Sequence, residues 1–234
     1  MKILYIFPHP DDESFGPARA MAKQLREGNE VYLLTLTKGG ATKVRHKYNY
    51  SIGEMGEVRH KEMLDVEKVL GLTGMTVLDL PDSGLKEMDP RDIEKAVADE
   101  IEKIKPEVIV TYAVHGISGF FDHLIIHGIV KRVFVEMKEH NNYLKRLALF
   151  TITEEDAAKQ AHFRLTGSKP EDIDCIIEVT EEDIEKNIKA LDCYVTYQDT
   201  IKSVNLREHL VKEVVFEIYG EKHEPKLKDI FEKL

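Results

Sequence analysis

Residues 2–7, Lys2 to Phe7, form a short and mostly apolar run of the kind a buried parallel strand needs. Directly after it stand His9, Asp11, Asp12 and Glu13, with Gly16 where a helix should begin. No other stretch restricts the fold of this chain as much. Four titratable groups at one strand end bring like-charge repulsion, which a cation among them would relieve. In an open α/β sheet the carboxyl end of a strand is also where ligands bind. Helix capping alone would use one such residue, not several.

The following residues supply the sheet that such an end requires. A helix over about 17–27, closed by Gly28, leads to a second strand at 31–37, and this spacing is that of a right-handed βαβ unit. The polar loop from Lys38 to Gly53 is long for a compact domain and reads as a wall or lid on the same sheet edge. Further strands are expected at 75–80, 107–114, 143–153 and 175–179. Helices are expected at 54–70, 89–105 and 123–140, from Thr153, and at 180–194. The stretch from Glu208 reads as either a strand or a helix. The pattern predicts a single domain over residues 1–234, with an α/β fold: a Rossmann-like doubly wound, mostly parallel sheet carrying helices on both faces.

Composition narrows the function. A net charge of −10, with no Lys/Arg cluster to offset it, argues against a nucleic-acid partner. Two cysteines, Cys175 and Cys193, make neither a disulfide framework nor a Cys-rich metal site. With no signal-peptide pattern and no apolar run of membrane length, the expectation is a soluble, cytoplasmic protein. A homo-oligomer is left open.

In a sheet of order 3-2-1-4-5, strands 1 and 4 are neighbours, so the loops after them meet at one crevice. The first loop brings His9 and Asp12, the second His123. Two histidines and a carboxylate leave a coordination position open, as catalytic zinc sites do. Asp11, beside the ligand Asp12 but pointing elsewhere, is placed to take a proton from water. Glu13 reads as an anchor for a ligand histidine or for the helix start. His123 and His127, one helical turn apart, form a rival ligand pair, although no glutamate base precedes them. Asp82, after the third strand, serves either the site or its turn. His46, His60, His140, His162, His209 and His223 have no motif around them and read as surface residues. A metal-free nucleotide-binding module is disfavoured: no G-x-G-x-x-G follows the first strand, and the carboxylates there would repel phosphate.

Pro8-His9-Pro10-Asp11-Asp12-Glu13 resembles the (P/A)-H-P-D-D-E motif of the LmbE-like, or PIG-L, family of zinc-dependent sugar N-deacetylases, complete over six residues. The family's second motif, H-P-D-H, aligns with Phe120-Phe121-Asp122-His123, whose last histidine would be the third zinc ligand. The resemblance implies Zn2+ held by His9, Asp12 and His123, and an amino-sugar substrate from which an N-acyl group is removed. Gly56 to Glu62 resembles the family's G-x-x-R-x-x-E segment, which makes Arg59 the candidate substrate-binding residue, where without the match it would read as an ordinary solvent-facing arginine; Glu62 is one turn away and able to hold it. The sequence departs from the family at Phe120, where a histidine is expected. His115, five residues earlier, is the candidate replacement acid. Without a replacement, the same metal site would carry impaired or altered amidase chemistry. Lys189 to Gln198 partly resembles a third family segment, with Tyr194 in place of its histidine.

Overall fold

The computed structural model describes residues 1–159 and 164–234. Its centre is a seven-stranded sheet: β1 (Lys2–Phe7), β2 (Glu30–Thr37), β3 (Gly74–Leu80), β4 (Val108–Tyr112), β5 (Arg146–Thr151), β6 (Cys175–Glu178) and β7 (Glu213–Ile218). The order is β3-β2-β1-β4-β5-β7-β6. The first five strands pair in parallel, and β7 runs antiparallel to both of its neighbours. The doubly wound, mostly parallel sheet expected from the sequence is therefore present, with its 3-2-1-4-5 core. The open reading of the stretch from Glu208 resolves as β7, which slots between β5 and β6 instead of extending the edge. Residues 3–7 are fully buried, as a central strand covered on both faces must be.

Eight helices accompany the sheet among the described residues: α1 (Asp12–Phe15), α2 (Ala18–Arg26), α3 (Ile52–Leu70), α4 (Pro90–Ile104), α5 (Phe121–Lys138), α6 (Glu154–Lys159), α7 (Glu181–Cys193) and α8 (Gln198–Ser203). Their ends follow local chemistry. Ser51 and Glu54 form a capping box, which starts α3 two residues before the expected position. Asp89 caps α4 with Pro90 at its first position, and Thr180 with Asp183 boxes the start of α7. α2, α3 and α7 pack together, as do α4 and α5. Right-handed crossovers that run one way from β1 to β3 and the other way from β1 to β5 put these two groups on opposite faces.

The switch point lies between β1 and β4, which pair directly through Ile3, Leu4 and Tyr5. The loops after these two strands open onto it, and the 38–51 loop leaves the neighbouring β2. That loop holds a single 3-10 stretch, Lys43–Tyr48, capped by Thr42.

Candidate metal centre

Asp11 makes the turn out of β1. Its backbone is left-handed, at φ 84°, a conformation aspartate tolerates better than most residues. Its carbonyl accepts from the Ser14 and Phe15 N–H groups, but its side chain makes no cap bond and is free to point away. The two adjacent carboxylates therefore diverge. Asp12 Oδ2 accepts the His9 backbone N–H at 2.8 Å, and Oδ1 accepts the Tyr112 hydroxyl at 2.8 Å. His123 Nε2 lies 3.3 Å from Asp12 Oδ1, and His9 Nδ1 lies 3.6 Å from Oδ2. The ligand atoms of His9, Asp12 and His123 all fall within 4.8 Å of one another.

The outer partners of both imidazoles prepare them for a cation. His123 Nδ1 donates to the Gly116 carbonyl at 3.0 Å, which leaves Nε2 as the lone-pair nitrogen facing Asp12. His9 Nε2 faces Asp122 Oδ2 at 3.1 Å and Asp82 Oδ1 at 3.3 Å, which leaves Nδ1 toward the trio. Two imidazoles and a carboxylate with their lone pairs turned inward suit a zinc-class ion. The charge balance fits as well. Burial disfavours a charged His9, but hydrogen bonds to Asp12 and Asp122 outweigh it and push its pKa up to about 10. Burial also opposes ionisation of Asp12, yet His123 and His9 hold it well below the usual carboxylate range. Without another cation, this pocket recruits protons. His9, Asp82 and Asp122 form a second group able to hold a metal, on the other nitrogen of the same ring. Asp122 Oδ1 is buried without a partner among the described residues.

Asp11 stands beside the trio. Burial pushes its carboxyl up to about 7 despite the neighbouring Arg59. Arg59 is not a solvent-facing arginine. It is 2% exposed, and its guanidinium donates to Asp11 Oδ2 (2.5 Å), the Pro10 carbonyl (2.7 Å) and the Gly39 carbonyl (3.1 Å). Tyr197 covers it at 4.1 Å, and a side chain at residue 39 would collide with it. Glu62 does not hold Arg59 by a hydrogen bond. It accepts from Thr196 N–H and Oγ1, where the C-terminal half crosses α3.

Other expected residues lie outside the trio. His115 enters neither metal-capable group: Nδ1 accepts from the Ile117 N–H, and Nε2 faces Thr151 and Ser168. His127 enters neither metal-capable group, and its Nδ1 donates to the Tyr112 carbonyl at 2.9 Å. Glu13 anchors no ligand histidine; it accepts from the Tyr194 and Ser14 hydroxyls. Phe120 is 56% exposed and sets its ring edge against His123 at 5.6 Å. His46, His60, His140 and His223 enter neither group. His162 and the side chain of His209 lie outside the described residues.

The roles of three contributors escaped the sequence reading. Tyr112 stacks on His123 at 4.4 Å while bonding Asp12, and its signal was only its place at a strand end. Asp122 lies inside the second motif and was passed over in favour of its histidine. Tyr194, fully buried, accepts the Asp11 N–H at 2.8 Å and donates to Glu13 at 2.6 Å.

The family model described as GlcNAc-PI de-N-acetylase (PIG-L) matches residues 4–134. A mycothiol S-conjugate amidase of Streptomyces coelicolor is 32% identical over 61% of this chain and 55% of its own length. A 1D-myo-inositol 2-acetamido-2-deoxy-alpha-D-glucopyranoside deacetylase of Thermomonospora curvata is 34% identical over 56% of this chain and 51% of its own. The chain thus spans about half the length of these curated relatives. Among solved structures, a triple mutant of a deacetylase from the teicoplanin biosynthetic pathway superposes with a TM-score of 0.74 at 15% identity, over 93% of this chain and 98% of the other. The 4-carboxy-2-hydroxymuconate hydratase of Pseudomonas putida KT2440 superposes at 0.69 with 13% identity, over 95% and 97%. At such identities the likeness is one of fold.

Proposed function

The chain belongs to the GlcNAc-PI de-N-acetylase (PIG-L) family, and on that premise we propose that it is a zinc-dependent hydrolase removing an N-acetyl or related acyl group from an amino sugar. The observation that carries this reading is the inward-facing trio of His9, Asp12 and His123 with Asp11 beside it. Those three residues would hold the ion. Zinc bound there supplies Lewis acidity, lowering the pKa of a water toward about 7 and polarising an acyl carbonyl. Asp11 takes the proton of the attacking water. A carboxyl raised to about 7 is matched to that task at neutral pH. Arg59 fixes one Asp11 oxygen, and Tyr194 holds its backbone. Asp82 and Asp122 keep the His9 proton on the outer nitrogen.

Phe120 supports a second reading. It offers neither a proton for the leaving amine nor charge for an oxyanion, and the fold is shared with a hydratase. On that reading the ion is kept and the amidase chemistry is impaired or altered.

Metal analysis together with acetate release from a panel of N-acetylated amino sugars tests both. We expect about one zinc-class ion per chain, and loss of both ion and turnover in Asp12→Ala. Turnover that survives complete removal of the ion would overturn the metal-dependent reading. A metal-replete chain that releases acetate from no member of the panel would favour the second reading over the first.

A further inference from the structure

We propose that His115 is a positioning residue: with Thr151, Ser168 and Glu217 it pins the turn whose Gly116 carbonyl aims His123. The inference rests on His123 being a metal ligand. The chain leaves β4 through a turn that local preference does not favour. Gly116 and Ile117 are both left-handed, at φ 62° and 57°, and a β-branched residue there is strained. Something must hold Ile117 in place. Its N–H donates to His115 Nδ1 at 3.1 Å, and its carbonyl accepts the Thr166 N–H at 2.8 Å. The peptide is thus gripped on both sides. The turn presents the Gly116 carbonyl to His123 Nδ1 at 3.0 Å, the contact that leaves Nε2 free for an ion.

The grip on His115 continues across the sheet. Because Nδ1 accepts, the proton of the neutral ring sits on Nε2, which faces Thr151 Oγ1 and Ser168 Oγ, both at 3.2 Å. Thr151, on β5, is 2.6 Å from Ser168, and Ser168 donates to Glu217 on β7 at 2.5 Å. Thr151 and Ser168 are buried, and burial favours the neutral form of His115. Both nitrogens of this ring have work that a proton donor at the metal would have to abandon. The cluster places a histidine, a serine and a glutamate together, but the serine hydroxyl donates to the carboxylate instead of to the histidine, which is not a nucleophile's arrangement.

The test separates the near and far halves of this chain of bonds. In His115→Asn the side-chain oxygen can still accept from the N–H two residues on, as in an Asx turn, while the link to Ser168 is lost. His115→Ala loses both. The readouts are Zn2+ affinity by chelator competition and the visible spectrum of the Co2+-loaded protein. Removing an outer partner of a metal ligand typically weakens binding about 10- to 100-fold, so His115→Ala should lose about that much and shift the Co2+ bands. His115→Asn should recover the part of the loss owed to the Ile117 N–H and keep the part owed to Ser168. A folded His115→Ala with wild-type affinity and spectrum would overturn the proposal, and so would a His115→Asn no better than alanine. If His115→Ala does not fold, Ser168→Ala carries the test: binding about 10-fold weaker, at the lower end of that range, is expected, and unchanged affinity overturns it. A wild-type chain that binds neither ion would sink the metal reading and this one together, whereas a wild type that binds both and is indifferent to residue 115 sinks this one alone.

Discussion

The half of the molecule up to α5 and the half after it divide the site between them unequally. Among the described residues, every group able to hold an ion comes from the first half: His9 and Asp12 after β1, Asp82 after β3, Asp122 and His123 at the start of α5. The second half offers no ligand among the described residues and holds the first in shape. Tyr194 grips Asp11 and Glu13, Thr196 grips Glu62, Asn187 donates to the Ser14 carbonyl, and Ser168 with Glu217 reaches His115. The difference has a physical origin. A parallel sheet gathers its strand ends at one edge, so the first half concentrates like charges there. Such a concentration keeps one geometry only if partners from outside satisfy it.

If the division is real, damage to the first half should abolish chemistry and damage to the second should tune it. The largest effect is expected for Asp11→Asn, which keeps shape and a hydrogen-bond acceptor but removes the proton acceptor. Turnover should fall about 10²- to 10⁴-fold with the metal retained. Steady-state kinetics on metal-replete protein checks this, and undiminished turnover would remove Asp11 from the mechanism.

Tyr194→Phe comes next. The ring stays packed, while the Asp11 N–H and Glu13 each lose a buried partner. A loss of about 10- to 100-fold in kcat is expected by analogy with other outer-sphere partners, along with a stability cost of about 1–3 kcal/mol for the groups left unpaired. The double variant sharpens the comparison. If Tyr194 acts only through Asp11, Asp11→Asn with Tyr194→Phe should be no slower than Asp11→Asn alone. Multiplying losses would mean that the second half contributes to the chemistry directly.

This division also explains what could be read from the sequence. The positions of the first strands, the Asp89-Pro90 and Thr180–Asp183 helix starts and the motif after β1 are local patterns, and local patterns carry their own meaning. The meeting of His9 with His123 needed one further step, the neighbourhood of β1 and β4. Arg59 was legible as a site residue but not in its orientation, because its partners include a carbonyl made reachable by Gly39. Tyr194 was singled out in the sequence but its role was hidden, because it bonds a residue 183 positions away and lies outside residues 4–134, which match the family model. His115 looked like an acid because its type and position suited one, while the groups its Nε2 faces come from β5 and the segment before β6. β7 itself was unreadable as a position, since nothing in Glu213–Ile218 says that it inserts beside β5.

The smallest expected effect lies at the far end of the helix that leads to Tyr194. Asp183 at the start of α7 accepts from Thr180 N–H and Oγ1 and takes a two-pronged pair from Arg26, at 3.1 and 2.8 Å. Burial works against its charge, but Arg26 and Thr180 prevail and lower its pKa. A carboxylate with a depressed pKa stabilises the fold fully above its unfolded value of about 3.9 and loses that stabilisation as pH falls through the folded value. Asp183→Asn should therefore cost about 1–2 kcal/mol at pH 7, the scale of a lost helix cap. The gap in Tm between wild type and variant should close as the pH is taken below about 3.9. Turnover at a temperature well below the transition should not change, because Tyr194 is fully buried and stays gripped at the other end of α7. Thermal melts at several pH values and one kinetic measurement check both halves. A gap that persists in acid would assign the stabilisation to packing instead of charge. A fall in kcat approaching that of Tyr194→Phe would mean that the whole of α7, not Tyr194 just beyond its end, holds Asp11 in place.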